Sequence, residues 1–200
     1  MRAFVLSIAF LFLLLFQECR QDALAPIEYR GWVENESNGL RVVKPVGDLV
    51  FTLQHCPVDY LVLREQDQAP TPEVLADRRK ALQGAEYYHL RIGLKNRGDV
   101  MQYGNASPED LIRRSDALNF AFQQSLYLLA GSDTLPCTVY QFENSYGLSP
   151  DITINLGFAT EARHAGQARQ LFIDEQLFGT GPLYIHIDEK AIQSTPLLRL

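Results

Sequence analysis

A cysteine at the end of an apolar segment is the first residue in this sequence that could do chemistry. Cys19 comes shortly after an apolar run, Ala3 to Phe16, which is preceded by Arg2. As a helix that run would be about 21 Å long, whereas the bilayer core is about 30 Å thick, so the run is typical of a signal peptide and not of a membrane span. We therefore expect residues 1–18 to be a lipoprotein-type signal peptide and Cys19 to be lipidated.

A second processing route stays open. Ala23-Leu24-Ala25 has the A-x-A form of an ordinary signal peptidase site, although Pro26 would follow the cut directly. Against lipidation, Glu18 stands where a small residue is usual. The position of Cys19 close behind the apolar run favours lipidation.

The number of cysteines bears on whether the other two thiols are bonded to each other. The sequence has three cysteines, so lipidation of Cys19 would leave Cys56 and Cys137 as a possible disulfide in a secreted protein. A bridge between them would close a loop of about 80 residues, for which the chain-entropy model gives roughly 4 kcal/mol of stabilisation. The alternative is two buried free thiols that pack as small hydrophobic groups.

Other reactive residue types form no recognisable catalytic motif. The four histidines (His55, His89, His164 and His186) lack a metal-ligand spacing. Gly179-Thr180-Gly181-Pro182 precedes a predicted strand, which favours a tight turn over a phosphate-binding loop. Four carboxylates could pair as acid and base, but they are more typical of solubilising groups. These carboxylates are Glu143, Glu161, Asp188 and Glu189. We expect no metal, no cofactor and, on balance, no enzymatic activity.

Composition narrows the class of partner. The chain has 200 residues, of which 46% are hydrophobic and 21% charged, as in ordinary globular proteins. Its net charge of −6, without a basic run, argues against nucleic acid as a partner.

The elements that would position these residues are mostly strands. Alternation of apolar and polar residues, or a short apolar run, predicts strands in eight segments. They are Glu28 to Val33, Val46 to Gln54, Val58 to Arg64, Tyr87 to Lys95, Leu135 to Phe142, Ile152 to Phe158, Gln170 to Ile173 and Leu183 to Ile187. Cap signals at Thr71 and Ser107 predict helices over Pro72 to Gln83 and from Pro108 to about Arg114. Residues 116–129 fit either element, and we favour strands after about Leu118.

This pattern predicts a mainly β protein, an antiparallel β-sandwich of immunoglobulin-like type with one or two short inserted helices. After the signal peptide, residues 19–26 would form a short tether. Residues 27–200 would form a single β-sandwich domain.

Several short segments together resemble a group of uncharacterised lipoproteins from Bacteroidota. They are the leader that ends at Cys19, Trp32-Val33-Glu34-Asn35 with Asn38-Gly39-Leu40, Asp133-Thr134-Leu135-Pro136-Cys137, Phe142-Glu143 with Tyr146-Gly147-Leu148, and Leu177-Phe178-Gly179-Thr180-Gly181-Pro182. The resemblance covers nearly the whole chain and implies an outer-membrane lipoprotein, on the periplasmic side or at the surface. It implies no catalytic residue. In such a bacterium Asp133-Thr134-Leu135 would also fit an O-glycosylation pattern, which makes Thr134 a possible glycosylation site.

The sequence thus predicts a lipoprotein of the cell envelope, bound to the membrane through its N-terminal lipid. We expect a non-enzymatic binding or structural module whose partner is an envelope protein or a glycan. The alternative is a secreted or periplasmic hydrolase of carbohydrate type, with carboxylates contributed by separate strands.

Overall fold

An antiparallel sheet of eight strands dominates the computed structural model, which describes residues 23–66, 68–143 and 148–200. The predicted signal peptide and Cys19 lie outside these residues. The strand order in the sheet is β2-β3-β4-β7-β6-β5-β8-β9, and β1 and β10 form a separate parallel pair. The strands are β1 (Ala23–Leu24), β2 (Arg41–Val46), β3 (Leu49–Cys56), β4 (Ala85–Leu94), β5 (Leu126–Ala130), β6 (Asp133–Glu143), β7 (Ile152–Ala159), β8 (Arg169–Glu175), β9 (Gly181–Ile187) and β10 (Leu197–Leu198).

Five α-helices accompany the sheet within the described residues. They are α1 (Pro26–Glu34), α2 (Val58–Glu65), α3 (Pro72–Leu82), α4 (Pro108–Phe120) and α5 (Glu189–Gln193). Helix α2 contacts both α1 and α3. Two ion pairs tie α3 to α2, from Arg79 to Asp59 and from Arg78 to Glu65.

Strand β6 joins the two halves of the sheet. Its first residues, 133–136, pair with β5, whereas Cys137 to Glu143 pair with β7. The register shifts between Cys137 and Val139, as at a β-bulge, which bends a strand and increases its twist. This irregularity marks the place where the sheet turns from one half into the other.

The two end strands of the sheet approach each other. Lys44 Nζ on β2 donates a hydrogen bond of 2.7 Å to the carbonyl oxygen of Tyr184 on β9, and the two strands are in contact. The sheet is therefore curled into a nearly barrel-like form. The mainly β, antiparallel prediction is confirmed, whereas the immunoglobulin-like sandwich is not confirmed. The expectation of one or two helices was too low.

The core lies inside the curl, where alternate residues of each strand point inward. The inward residues of β3, Leu49, Phe51 and Leu53, are fully buried. So are the inward residues of β4, which are Tyr88, Leu90 and Ile92. On β9 the buried residues are Leu183, Ile185 and Ile187, which confirms the predicted alternation of that strand. Period-two alternation was therefore a reliable guide wherever one face of a strand is in the core.

Two segments predicted as strands are helices instead. Glu28 to Val33 lies in α1, which begins at Pro26 and in which the Glu28 carboxylate accepts a hydrogen bond from the backbone N–H of Ala25. Val58 to Arg64 lies in α2, where Pro57 is the N-cap. A short apolar run does not distinguish a buried strand from a helix, and the prolines at these helix starts were the stronger signal.

Both predicted helix starts are confirmed. Thr71 Oγ1 accepts from the backbone N–H of Val74, and Ser107 and Asp110 form a reciprocal capping box. Helix α4 nevertheless runs to Phe120, well past Arg114, and regular strand structure begins only at Leu126. The preference for strands after Leu118 was thus wrong for the first residues of that segment.

The predicted tether is partly structured. Ala23 and Leu24 pair with Leu197 and Leu198, and α1 starts directly afterwards at Pro26. Among the described residues no helix is both long and apolar enough to cross a membrane.

Candidate functional site

A row of polar side chains crosses five neighbouring strands on the outer face of the sheet. The strand register places one such residue on each strand, directly opposite the next. We call these residues the polar row: Arg41 (β2), Gln54 (β3), His89 (β4), Asn155 (β7) and Gln141 (β6). On β3, β4 and β7 they alternate with core residues, so the row belongs to the face that points away from the core.

Helices α1 and α2 close a cleft over the first three strands of this row. The cleft has a volume of about 380 Å³. Four arginines line it: Arg30 from α1, Arg41 from β2, Arg64 from α2 and Arg91 from β4. The other lining residues are Glu34, Thr52, Gln54, Tyr60 and His89. We call this site the arginine cleft.

Positive charge in the arginine cleft exceeds the negative charge that lines it. Glu34 is the one carboxylate among the lining residues, and it accepts a hydrogen bond of 2.8 Å from the Tyr60 hydroxyl. Arg30 and Arg64 have no salt-bridge partner within the described ranges, although the Arg64 guanidinium carbon lies 5.8 Å from the centre of the Tyr60 ring. The local charge is thus opposite to the net charge of −6 of the chain.

The two strand arginines keep donors available. Arg41 Nε is 3.7 Å from Glu36 Oε1, and Arg91 Nη1 is 3.6 Å from Asp151 Oδ2. Both distances exceed those of hydrogen bonds. Arg41 Nε is also buried without a hydrogen-bond partner in the part of the chain that the structure describes. Buried N–H groups are normally satisfied, so this donor is suited to an incoming acceptor.

The environment of His89 favours its neutral form. Burial and the neighbouring charges of Arg64, Arg91 and Arg41 lower its pKa, and Glu143 only partly opposes them. Its Nε2 atom is buried and has no hydrogen-bond partner among the described residues. The ring is therefore a second unpaired polar group in the cleft, and an anion there would favour its protonation.

The walls of the arginine cleft are tied together by a buried amide. Gln54 Nε2 donates to the carbonyl oxygens of Val33 at 3.0 Å and Leu40 at 3.2 Å. These bonds connect the last turn of α1 and the start of β2 to the middle of the sheet. Asn38 adds a hydrogen bond of 2.8 Å to the Trp32 carbonyl oxygen. The arginines thus stand on elements whose relative positions are fixed, which favours a preformed site.

A neighbouring cleft of about 370 Å³ continues along the same face, and Arg64 lines both. It contains Asn155 and Gln141, the other end of the polar row, together with the Tyr87 ring. Its remaining lining residues are Cys56, Leu61, Glu65, Leu82, Tyr88, Val139, Glu143 and Leu156. Arg64 is the one basic residue that lines the neighbouring cleft, which therefore lacks the excess of positive charge of the arginine cleft.

The possible disulfide between Cys56 and Cys137 is not formed. Both cysteines are buried free thiols. They lie on β3 and β6, which β4 and β7 separate, so their backbones are about 14 Å apart at the usual strand spacing. A disulfide needs Cα atoms within about 7 Å. Burial raises the pKa of the Cys56 thiol to about 12 and that of Cys137 to about 11.

The four carboxylates considered for acid–base chemistry each have a local partner. Glu143 accepts from Asn155, Glu161 pairs with Arg163, Asp188 with His186, and Glu189 accepts from Gln193. None of these four carboxylates is therefore paired with another of the four. Glu143 does lie in the neighbouring cleft with Glu65, which accepts hydrogen bonds from Nε and Nη2 of Arg78.

The glycine-rich segment forms the predicted tight turn between β8 and β9. Backbone N–H groups in and just before this segment already bind a carboxylate of the chain itself. The buried Glu175 carboxylate accepts from the N–H of Phe178 at 2.7 Å, from the N–H of Thr180 at 2.9 Å and from the Thr180 hydroxyl. Gly179 and Gly181 have φ of +75° and +73°, a region that glycine adopts without strain.

The histidines occupy four different environments. His55 is in the core, His89 in the arginine cleft, His164 is buried against Asp133, and His186 is exposed. No group of three potential metal ligands occurs among the described residues. Thr134 is exposed on β6, two residues after the turn that joins it to β5, and its glycosylation stays a prediction.

The arginine cleft was not predicted from the sequence. Alternation within the predicted strand Tyr87 to Lys95 puts His89 and Arg91 on one face, but Arg64 was assigned to a strand and no strand was predicted at Arg41. The polar row joins positions that become neighbours only through strand pairing. Comparisons of the chain with protein-family models, curated proteins and solved structures give no match.

Proposed function

We propose that this chain is a non-enzymatic binding protein of the bacterial cell envelope, which binds an anionic group of its ligand in the arginine cleft. The observation that carries the proposal is the convergence of four guanidinium groups on one cleft with a single lining carboxylate. Guanidinium groups bind carboxylate, sulfate and phosphate through paired, charge-assisted hydrogen bonds.

The unpaired groups support an exchangeable ligand over a purely structural cluster. Buried polar groups in proteins are usually hydrogen-bonded, whereas Arg41 Nε and His89 Nε2 are buried without hydrogen-bond partners in the described residues, and Arg41 has only a long ion-pair contact with Glu36. A bound anion would satisfy the first as acceptor and would stabilise a proton on the second.

The envelope location rests on the sequence. We propose that Cys19 carries a lipid that tethers the protein to the outer membrane, with its ligand an envelope protein or a glycan. Since Ala23 pairs with Leu197, the anchor would be only a few residues from the folded part.

Calorimetric titration with inorganic sulfate, at constant ionic strength, tests the binding function on the detergent-solubilised full chain. We expect Arg64→Gln and Arg91→Gln each to weaken sulfate binding by about tenfold or more, the usual effect of losing one charge-assisted contact. Arg113→Gln is the matched control, since Arg113 lies on α4 outside the cleft and its side chain is 75% exposed. Equal losses in all three variants, or no sulfate binding by the wild type, would refute the proposal.

One observation favours the alternative, a hydrolase of carbohydrate type. Glu65 and Glu143 line the same cleft, and paired carboxylates are the usual machinery of glycosidases. If this alternative is right, the full chain releases new reducing ends from a glycan, and Glu143→Gln abolishes the release.

A further inference from the structure

The ligand of the arginine cleft can be specified further from the polar row, an inference that rests on the proposed function. The row does not end where the cleft ends. His89 lies directly opposite Asn155, and Asn155 lies directly opposite Gln141. Side chains so paired are about 5 Å apart, so the recognition surface continues into the neighbouring cleft without a gap.

The length of the polar row exceeds that of a single small anion. Arg41 and Gln141 are four strand spacings apart, which corresponds to about 19 Å. Each of the two clefts alone has the volume of a small-molecule site. A ligand that uses the whole row is therefore elongated and consists of several units.

The two ends of the row have different chemistry. The arginine cleft offers four cations, whereas the neighbouring cleft offers the amides of Asn155 and Gln141 with the Glu143 carboxylate, since Glu65 is already paired with Arg78. Carboxylates repel further anionic groups but accept hydrogen bonds from hydroxyls, and amides both donate and accept. The ligand thus carries its negative charge at one end and neutral hydroxyl groups along the rest.

An aromatic ring lies beside these amides. Tyr87 is half-buried in the neighbouring cleft and lies next to Gly157 on β7. A Cβ atom at Gly157 would be 3.4 Å from the Tyr87 ring and 2.8 Å from Val139 Cβ, so a larger residue would crowd the ring. Aromatic faces next to amides and carboxylates suit the mixed apolar and hydroxylated surface of a sugar.

We infer that the ligand is an acidic oligosaccharide. Its one carboxylated sugar, at one end, binds in the arginine cleft. The neutral sugars that follow lie along Asn155 and Gln141 and against Tyr87. A polyanion is disfavoured by the carboxylate of Glu143, and a simple anion would leave Asn155 and Gln141 of the row unused.

The test is a binding panel on the full chain in detergent. It contains trisaccharides that end in one uronic or sialic acid, their neutral parent sugars, the free sugar acids, and inorganic sulfate. A set of short peptides with a free C-terminal carboxylate is included as the competing class. We expect at least one acidic trisaccharide to bind ten times more tightly than both its free acid and its neutral parent.

Variants of the polar row separate the oligosaccharide inference from the anion-binding function. Gln141→Ala and Asn155→Ala should reduce the affinity for the acidic trisaccharide severalfold towards that of the free acid, while sulfate affinity stays within twofold. Gln141 is exposed, so its replacement leaves the core intact even if Asn155→Ala unfolds. Gln170→Ala, on the outer face of β8, is the matched control.

Each outcome of these titrations bears on either the oligosaccharide inference or the anion-binding function. If sulfate binding depends on Arg64 but no acidic trisaccharide surpasses its free acid, the oligosaccharide inference is wrong and the anion-binding function stands. If the carboxylate peptides bind more tightly than every sugar, the inference is also wrong. If sulfate does not bind at all, the proposed function itself fails.

Discussion

Arg169 on β8 and Glu86 on β4 form an ion pair between strands that are not neighbours in the sheet. Arg169 Nε donates to Glu86 Oε2 at 2.8 Å, and Arg169 Nη2 donates to Glu86 Oε1. Three strands separate β4 from β8 in the sheet order. The pair therefore spans the interior of the curl and, together with the Lys44 contact, holds the two halves of the sheet in their relative positions.

Breaking this ion pair should be costly. Arg169 is 1% exposed, and despite the opposing effect of burial its hydrogen bonds and charge lower the pKa of Glu86. Removing one partner leaves a buried charge, so Glu86→Leu and Arg169→Met alone should each reduce the free energy of unfolding by about 3–5 kcal/mol. The double variant should lose much less than the sum of the two. Urea denaturation checks this, and strictly additive losses would mean that the residues act independently.

His55 should make stability depend on pH. Burial lowers its pKa from an ordinary 6.5 to about 4, so between these values the unfolded chain binds a proton that the folded chain does not. The free energy of unfolding should therefore fall by about 3 kcal/mol as the pH decreases from 6.5 to 4. His55→Phe should remove that part of the slope in denaturation curves across this range, whereas the exposed His186→Gln should not. Equal slopes in all three proteins would contradict the assignment.

His89 should link anion binding to protons. Burial and the neighbouring guanidinium groups lower its pKa in the free protein, and a bound anion would raise it. Sulfate should thus bind more tightly at pH 5.5 than at pH 7.5, by severalfold. Calorimetry at constant ionic strength measures the change, and in His89→Gln the two affinities should agree. A gain that persists in this variant would have to come from another group.

The two described thiols should resist alkylation in the folded protein. Only the thiolate reacts, and burial raises the pKa of Cys56 and of Cys137 far above neutral pH. Intact mass after iodoacetamide at pH 7.5 should show neither residue modified in buffer, and both modified in urea without reductant. Failure to label them in urea until a reductant is added would show that they are oxidised in the native host.

Cys19 should determine where the protein fractionates. If the lipid is attached there, Cys19→Ala should move the protein from the membrane to the soluble envelope fraction of its native host. Cys56→Ala is the control and should stay with the membrane, since that thiol is buried in the fold. Identical fractionation of wild type and Cys19→Ala would rule out the anchor.

Local patterns predicted the strands that have one face in the core and the helices that have a side-chain cap. β4 and β9 follow from alternation, and α3 and α4 from Thr71 and Ser107. The segment at Val58 misled because its apolar residues are nearly contiguous, so periodicity could not separate strand from helix. The proline before it, with Asp59 in the first turn and Arg64 in the last, carried the helical signal.

The site was less predictable than the fold because it depends on register. Alternation places His89 on the polar side of β4, yet no local sequence pattern predicts that Gln54 and Asn155 flank it. The curl of the sheet also depends on contacts between distant segments, such as Lys44 with Tyr184. Such pairings arise from the whole fold.

The polar row has a consequence for dynamics. A ligand that lies across five strands is bonded to each of them, so it binds only while their pairing is intact. Occupancy at 100 times the dissociation constant would add about 2.7 kcal/mol to the free energy of unfolding. The backbone amides of β2, β3, β4, β7 and β6 should then exchange with deuterium more slowly, while those of β8 and β9 change less, and this pattern would trace the bound ligand across the sheet.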